Sequence, residues 1–464
     1  MTEKPIVHPY IPNSEPEVKE QMLRAVGASC TDEFYADIPE NLRLRADLNL
    51  PPPFLSEHNL VRHVEGILAK NQSTRENLNF LGAGCWQHHV PAICDEINSR
   101  SEFLTAYAGE PYDDHGRFQA LFEYQSMMGE LLNMDVVNVP TYDGFQASAT
   151  ALRMASRITG RKQVLILRMI NPDKLSKIND YLKPDIQIEL IDFEQDTGLL
   201  DLDTYKRMLS SEIAAVYIEN PSYLGFIETN GSQIADLAHQ QGALCVVSVD
   251  PISLGVINPP VEYGGDIVCG DIQPLGMHMQ FGGGQAGFIA TRDEGTFVME
   301  YPSRLFGVAP TIVEGEYGFG DVAYERTSFA KREEGKEWVG TAAALWGITA
   351  GVYLALMGPR GMVEIGEAIM QRTRYAMKKI AEINGLKVLF SESQHFKEFV
   401  LNFDGTGKSV ASVNQALLEQ GIFGGKDLSA EFPKLGQSAL YCVTEIHSQA
   451  DIDRLVETLA EVTG

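Results

Sequence analysis

LCVVSVDPISLGVINPPVEYGGDIVCGDIQPLG, residues 244–276, holds two short apolar runs, LCVVSV (244–249) and DIVC (266–269), joined by a connector rich in proline and glycine. Apolar runs of this length without alternation are what a strand buried on both faces requires. The pattern repeats outward in both directions, with VLILR (164–168) and IAAVYI (213–218) before it and GFIAT (287–291) after it. Helical segments separate several of these runs. One spans 232–241, with Ser232 placed to cap its start and Gly242 just past its end. Buried strands alternating with helices predict an α/β domain with a largely parallel sheet.

On either side the organisation changes. Phe118, Leu121, Phe122, Met128, Leu131 and Leu132 follow helical spacing and lead into the strand-rich region. Towards the C-terminus a helical stretch (362–383) precedes KVLF (387–390), EFVLNF (398–403), a helix near 409–420 and ALYCVT (439–444). A last helix opens on Ser448-x-x-Asp451, a capping-box pattern. This order predicts a smaller α+β domain. The first 75 residues hold polar helical pieces broken by prolines, notably Pro51-Pro52-Pro53, and read as an arm lying on another surface, such as a partner subunit. The expected organisation is an arm (1–75), a large α/β domain (76–335), and a linking helix with a small C-terminal α+β domain (336–464).

The chain has 464 residues and a net charge of −26, which argues against a nucleic-acid partner because phosphate backbones select basic surfaces. Cysteines 30, 85, 94, 245, 269 and 442 form no C-x-x-C pair, and several sit in apolar runs, as reduced thiols of a cytoplasmic protein would. No secretory signal is expected from MTEKPIVHPYIPNSEP, which lacks an apolar stretch. Gly340 to Gly358 is 19 residues without a charge. It is rich in alanine and glycine, so a buried helix of a large core is expected there and no membrane span.

Several segments carry a family resemblance: IPNSEPEVKEQML (11–23), ADIPENLRL (36–44), NLNFLGAGCWQHHVPA (77–92), SRSEFLTAY (99–107), LFEYQSMMGEL (121–131), TYDGFQASATAL (141–152), VDPISLG (249–255), QPLG (273–276) and FGGGQAGFIATR (281–292). In order and over nearly the whole chain, these resemble the α subunit, or subunit 1, of glycine dehydrogenase (decarboxylating), the split P-protein of the glycine cleavage system. The resemblance implies a pyridoxal-phosphate (PLP)-dependent transferase fold of type I. It implies a homologous β subunit bearing the cofactor lysine, an α2β2 heterotetramer, and a lipoyl H-protein that receives the aminomethyl group after glycine decarboxylation. The isolated chain is then expected to be inactive.

The residues bear on that division of labour. Asp250, at the end of LCVVSV, stands where an acidic partner of the pyridinium nitrogen belongs. No lysine occurs between Lys206 and Lys331, and alignment of DIVCGDIQP with cofactor-bearing relatives puts Pro274 at the lysine position. The phosphate of such a cofactor sits at a helix N-terminus. In the matching turn Thr141-Tyr142-Asp143-Gly144, Asp143 would cap the helix with its own carboxylate and repel a phosphate. No PLP is therefore expected in this chain, and Asp250 is read as vestigial, held by backbone amides.

Other constellations are weaker. Gly282-Gly283-Gly284 precedes a strand and lacks the phosphate-loop pattern, so a tight turn is the expectation. Cys85, His88 and His89 have no second ligand pair at metal-binding spacing, and no metal is expected. His88 matches a histidine of the family. Tyr107, Tyr112, Asp113 and His115 lie in or beside the loop YAGEPYDDHG (107–116), which the resemblance places on the substrate and lipoyl path. These five are candidates for reaching the partner's site. This loop and Lys336-Glu337-Trp338-Val339-Gly340 depart from the family pattern. Two alternatives therefore stand beside the first reading: a paralogous subunit serving a different amine or amino acid, and a purely structural or regulatory subunit.

Overall fold

The computed structural model describes residues 7–44, 46, 48–103, 115–339 and 343–464; of residues 115 and 116 it describes the backbone only. Tyr107, Tyr112 and Asp113 lie outside the described residues, as does the side chain of His115. The chain divides into two units, Met1–Gln72 and Ser73–Gly464.

Among the described residues of the first unit are two α-helices, α1 (Pro16–Ala25) and α2 (Glu57–Leu68), with short 3-10 turns between them. Pro16 opens α1, where a missing N–H costs nothing, and Ser56 caps α2 by accepting from the Asn59 N–H. Pro51 to Pro53 keep the chain extended just before that cap.

In the second unit helix α3 (His115–Leu132) leads to a seven-stranded sheet. In chain order its strands are β1 (Val136–Val137), β2 (Gln163–Leu167), β3 (Gln187–Ile191), β4 (Ile213–Glu219), β5 (Leu244–Val249), β6 (Ile267–Asp271) and β7 (Gly287–Thr291). The spatial order is β1-β7-β6-β5-β4-β2-β3, with β3, β2, β4, β5 and β6 parallel and β7 antiparallel to both its neighbours. Val216 and Ile218 of β4 enter one core while Ala215 and Tyr217 enter another, as the two-residue period of a strand buried on both faces demands. The sheet is thus largely parallel, as the buried runs predict. Strand β3 gives no such signal in the sequence, because QIELI alternates between exposed and half-buried positions at the sheet's edge, with Ile191 alone buried. The helix expected at 232–241 spans Gly231–Gln240; Asn230, not Ser232, stands at its N-cap, without a side-chain cap bond.

Helix α4 (Gly144–Thr159) and helix α5 (Pro172–Leu182) start at the carboxyl edge of this sheet. Small residues let α4 bury most of its surface, with Ala147, Ser148, Ala149, Thr150 and Ala151 all inaccessible. From Ala344 onward, the uncharged stretch that mimics a membrane span forms the start of α6 (Ala344–Ile380), broken at Gly358 (φ +58°) and Pro359. No helix among the described residues is long and apolar enough to cross a membrane.

A second, antiparallel sheet follows, in the order β8-β9-β11-β10, from β8 (Lys387–Val388), β9 (Glu398–Asn402), β10 (Lys426–Asp427) and β11 (Ser438–Cys442). The final helix α7 (Gln449–Thr463) carries the predicted capping box. One core joins the two sheets: Val247 and Val249 of β5 share a cluster with Phe390, Phe396, Val400 and Leu440. That shared core brings the start of β9 over the carboxyl ends of β4, β5 and β6.

Candidate functional site

Ligands of parallel α/β sheets bind outside the carboxyl ends of the strands. A pocket lies there, lined by Glu219 ending β4, Asp250 after β5, Asp271 ending β6, Gly144 and Phe145 opening α4, Lys174 on α5, and Trp86, Lys397 and Glu398. Its free volume is about 80 Å³, small beside the roughly 300–1,000 Å³ of pockets that take small organic ligands.

Asp250 forms an ion pair with Lys397, whose side chain is 3% exposed. The Asp250 Oδ1 also accepts from the Ile252 N–H at 3.1 Å. Lys397 enters from the residue preceding β9. Its Nζ stands 3.5 Å from the ring centroid of Trp86 and 3.2 Å from His88 Nε2. An ammonium only donates, so His88 Nε2 accepts and Nδ1 carries the ring proton towards Glu445 Oε2 at 2.8 Å. Burial would push the Glu445 carboxyl up; its contact with the His88 ring and the bond from the His89 N–H outweigh it and hold the group below its usual range. A buried chain therefore runs from Asp250 through Lys397 and His88 to Glu445.

Gln273 fixes Trp86 beneath that ammonium. Its Oε1 accepts from the Trp86 N–H at 3.1 Å, and its Nε2 donates to the Trp86 carbonyl at 2.9 Å. Pro274, at the position expected of a lysine, is buried beside Gln273 and does not line the pocket.

A second pair closes another side. Lys174 Nζ donates to Glu219 Oε1 at 2.5 Å and to Ser248 Oγ at 3.2 Å. The Tyr217 hydroxyl, 3.0 Å from the same Glu219 oxygen, completes the group. Burial alone would lower the Lys174 pKa, but the Glu219 charge prevails and keeps the amine protonated, well above its usual range. The pocket thus contains two lysines from outside the lysine-free span, and both are committed to carboxylates.

The N-terminus of α4 is engaged as well. Asp143 Oδ1 accepts from the Gln146 N–H at 2.7 Å, the N-cap bond that its position predicts, while Oδ2 pairs with Lys177 at 2.7 Å. A further carboxylate, unforeseen in the sequence, comes from Asp271: its Oδ2 accepts from the Gly144 N–H at 2.8 Å, and its Oδ1 from Gln273 and Ala286. A Cβ on Gly144 would come within 2.9 Å of the Asp271 Cβ, so only glycine permits this approach. Burial pushes the Asp271 carboxyl up to about 7 despite these three N–H bonds, with Asp143 adding to the effect.

His88 is buried, with both ring nitrogens engaged inside the chain. Cys85 and His89 do not converge with it: the Cys85 thiol faces the Met279 carbonyl and His89 is exposed. Around the glycine triplet the backbone makes a tight turn, with Gln280 and Phe281 at φ +47° and +56°. Glu337, in the departing 336–340 segment, lies apart from the pocket and joins Thr150 and Arg157 of α4 to Tyr181 of α5.

The family described as the glycine cleavage system P-protein matches residues 8–459. The probable glycine dehydrogenase (decarboxylating) subunit 1 of Staphylothermus marinus is 40% identical, covering 98% of each chain. The protein of the same name from Geobacillus kaustophilus is 36% identical over 98% of this chain and 99% of its own. Among solved structures, a crystal structure of glycine decarboxylase (P-protein) of the glycine cleavage system, in inhibitor-bound form, superposes with a TM-score of 0.83 at 32% identity, covering 98% of this chain and all of that one. A sphingosine-1-phosphate lyase of Burkholderia pseudomallei, at 13% identity and a TM-score of 0.64 over 90% of this chain and 92% of its own, shares the fold alone. The chain belongs to the glycine cleavage system P-protein family.

Proposed function

We propose that this chain is the subunit of a heteromeric glycine dehydrogenase (decarboxylating) that holds no PLP of its own. A homologous second subunit carries the cofactor in an α2β2 assembly of the cytoplasm, and a lipoyl H-protein takes the aminomethyl group. The observation that carries this reading is the self-satisfied pocket. The carboxylate that would face a pyridinium is paired with Lys397, and the first N–H of α4 is bonded to Asp271. The residues present do not fit the cofactor: its phosphate would meet Asp143 and Asp271, and its ring would have to displace a buried ammonium. The name subunit 1, borne by relatives at 35–40% identity, supports a partner chain. A different substrate gains no support from the 336–340 departure, because Glu337 serves as a brace between α4 and α5.

The test takes the purified full-length chain, dialysed against PLP, alone and with the second subunit. Alone it should remain colourless and release no CO₂ from glycine; the pair should do so. Stoichiometric uptake of PLP by the isolated chain, or glycine turnover without a partner, overturns the reading.

A further inference from the structure

Not one described residue between 7 and 72 is buried. Among the described residues, nineteen of the thirty-two exposed large hydrophobic side chains belong to this segment. They are organised. Leu60, Val61, Val64, Ile67 and Leu68 of α2 recur at i, i+1, i+4, i+7 and i+8 and are 42–58% exposed, with Arg62 on the opposite face. This is the stripe of a helix that packs against something. A helix of 12 residues is marginal in water without such packing.

Among the described residues, the rest of the chain shows no comparable stripe. Its thirteen exposed large hydrophobic side chains scatter between Leu81 and Ile446, and the tightest group, Val308, Ile312, Val313 and Tyr317, lies on a hairpin. A hairpin tip is a protrusion, not a groove. A second copy presents the same surface and the same net charge of −26, which opposes self-association. The geometry points to α2 as a docking helix whose stripe seats in an apolar groove of the second subunit, the helix-in-groove mode of recognition. Pro51 to Pro53 act as the stiff spacer that presents it. This inference rests on the reading above that a second subunit exists.

Hydrogen exchange on the full-length chain, free and mixed with the purified second subunit, tests it. Amides of 57–68 should exchange freely in the free chain and at least about 100-fold more slowly in the complex. The variant Leu60→Ser, Val64→Ser, Ile67→Ser should weaken association by at least about 30-fold and leave the melting temperature of the free chain unchanged, whereas Arg62→Ala should alter neither. Protection of α2 already in the free monomer would assign the stripe to the chain's own body. A free chain that sediments as a dimer sensitive to the triple variant would assign it to a second copy. A tight complex with α2 unprotected and the triple variant without effect would show the helix to be idle; each of these outcomes overturns the proposal. Failure of the two chains to associate at all overturns the subunit reading itself, and this inference with it.

Discussion

The pocket and the arm are opposites. At the pocket, charged and polar groups that are expensive to bury are buried, and these are answered from within the chain: Lys397 by Asp250, Lys174 by Glu219, the Gly144 N–H by Asp271. In the arm, apolar groups that are costly to expose are exposed, and among its described residues none is buried, the Phe54–His63 ring contact notwithstanding. The difference teaches where this molecule is incomplete. Where the fold ordinarily takes a ligand the chain's own side chains pair with one another, whereas the segment outside the sheets leaves its apolar stripe uncovered. Ion pairs in a dry interior are intolerant of losing one member, while an exposed helix tolerates almost any single change. The two regions should therefore respond very differently to mutation.

The largest effect is expected at Lys397. Lys397→Met leaves the Asp250 carboxylate buried without its cation, a loss of about 3–5 kcal/mol of unfolding free energy in urea titration. Adding Asp250→Asn should recover much of it, because no uncompensated charge then remains. A cost of the single variant below about 1 kcal/mol would mean that water reaches the pocket and that it is not closed.

Asp271 makes the next prediction through pH. Its carboxyl is raised to about 7 in the folded chain by burial, against about 3.9 when unfolded. A raised carboxyl stabilises fully below the unfolded value and loses that contribution as pH climbs through the folded value. Between about pH 4 and pH 7 the folded chain should thus lose stability relative to Asp271→Asn, which cannot ionise, by on the order of a few kcal/mol. Glu398, also pushed up to about 7 by burial, adds in the same direction in both proteins and cancels in the difference. A difference that is flat between about pH 5 and pH 7.5 would place Asp271 in contact with solvent.

Much of this is legible in the amino-acid sequence alone. LCVVSV, DIVC, IAAVYI and VLILR announce themselves because a strand covered on both faces cannot hide its composition. Asp143 is readable as a cap because capping is local, a matter of residues 143 to 146. Lys397 and Lys174 are not readable as pocket residues. They lie 147 and 76 positions from Asp250, and only the shared core of the two sheets brings β9 over the strand ends. Asp271 needs the register of β6 beside α4, which no local spacing encodes. Asp250, expected to rest on backbone amides, has one such bond, and its main partner is a side chain from the second sheet.

The smallest effects sharpen the comparison most, because the same chemistry occurs in both regions. Ser448 caps α7 by accepting from the Asp451 N–H at 3.2 Å, with Asp451 reciprocating to the Ser448 N–H at 2.8 Å, and α7 buries Ile452, Leu455 and Leu459. Ser448→Ala should cost about 1 kcal/mol of global stability, since a packed helix cannot fray alone. Ser56 caps α2 with a single bond at 3.4 Å, and α2 buries nothing. In the free chain Ser56→Ala should leave the global unfolding transition unmoved, within about 0.5 kcal/mol. Once the stripe is covered, fraying of that helix costs contacts, and the same variant should weaken association several-fold. A global cost of Ser56→Ala in the free chain equal to that of Ser448→Ala would mean that α2 is already packed, and the contrast between the two regions would fall with it.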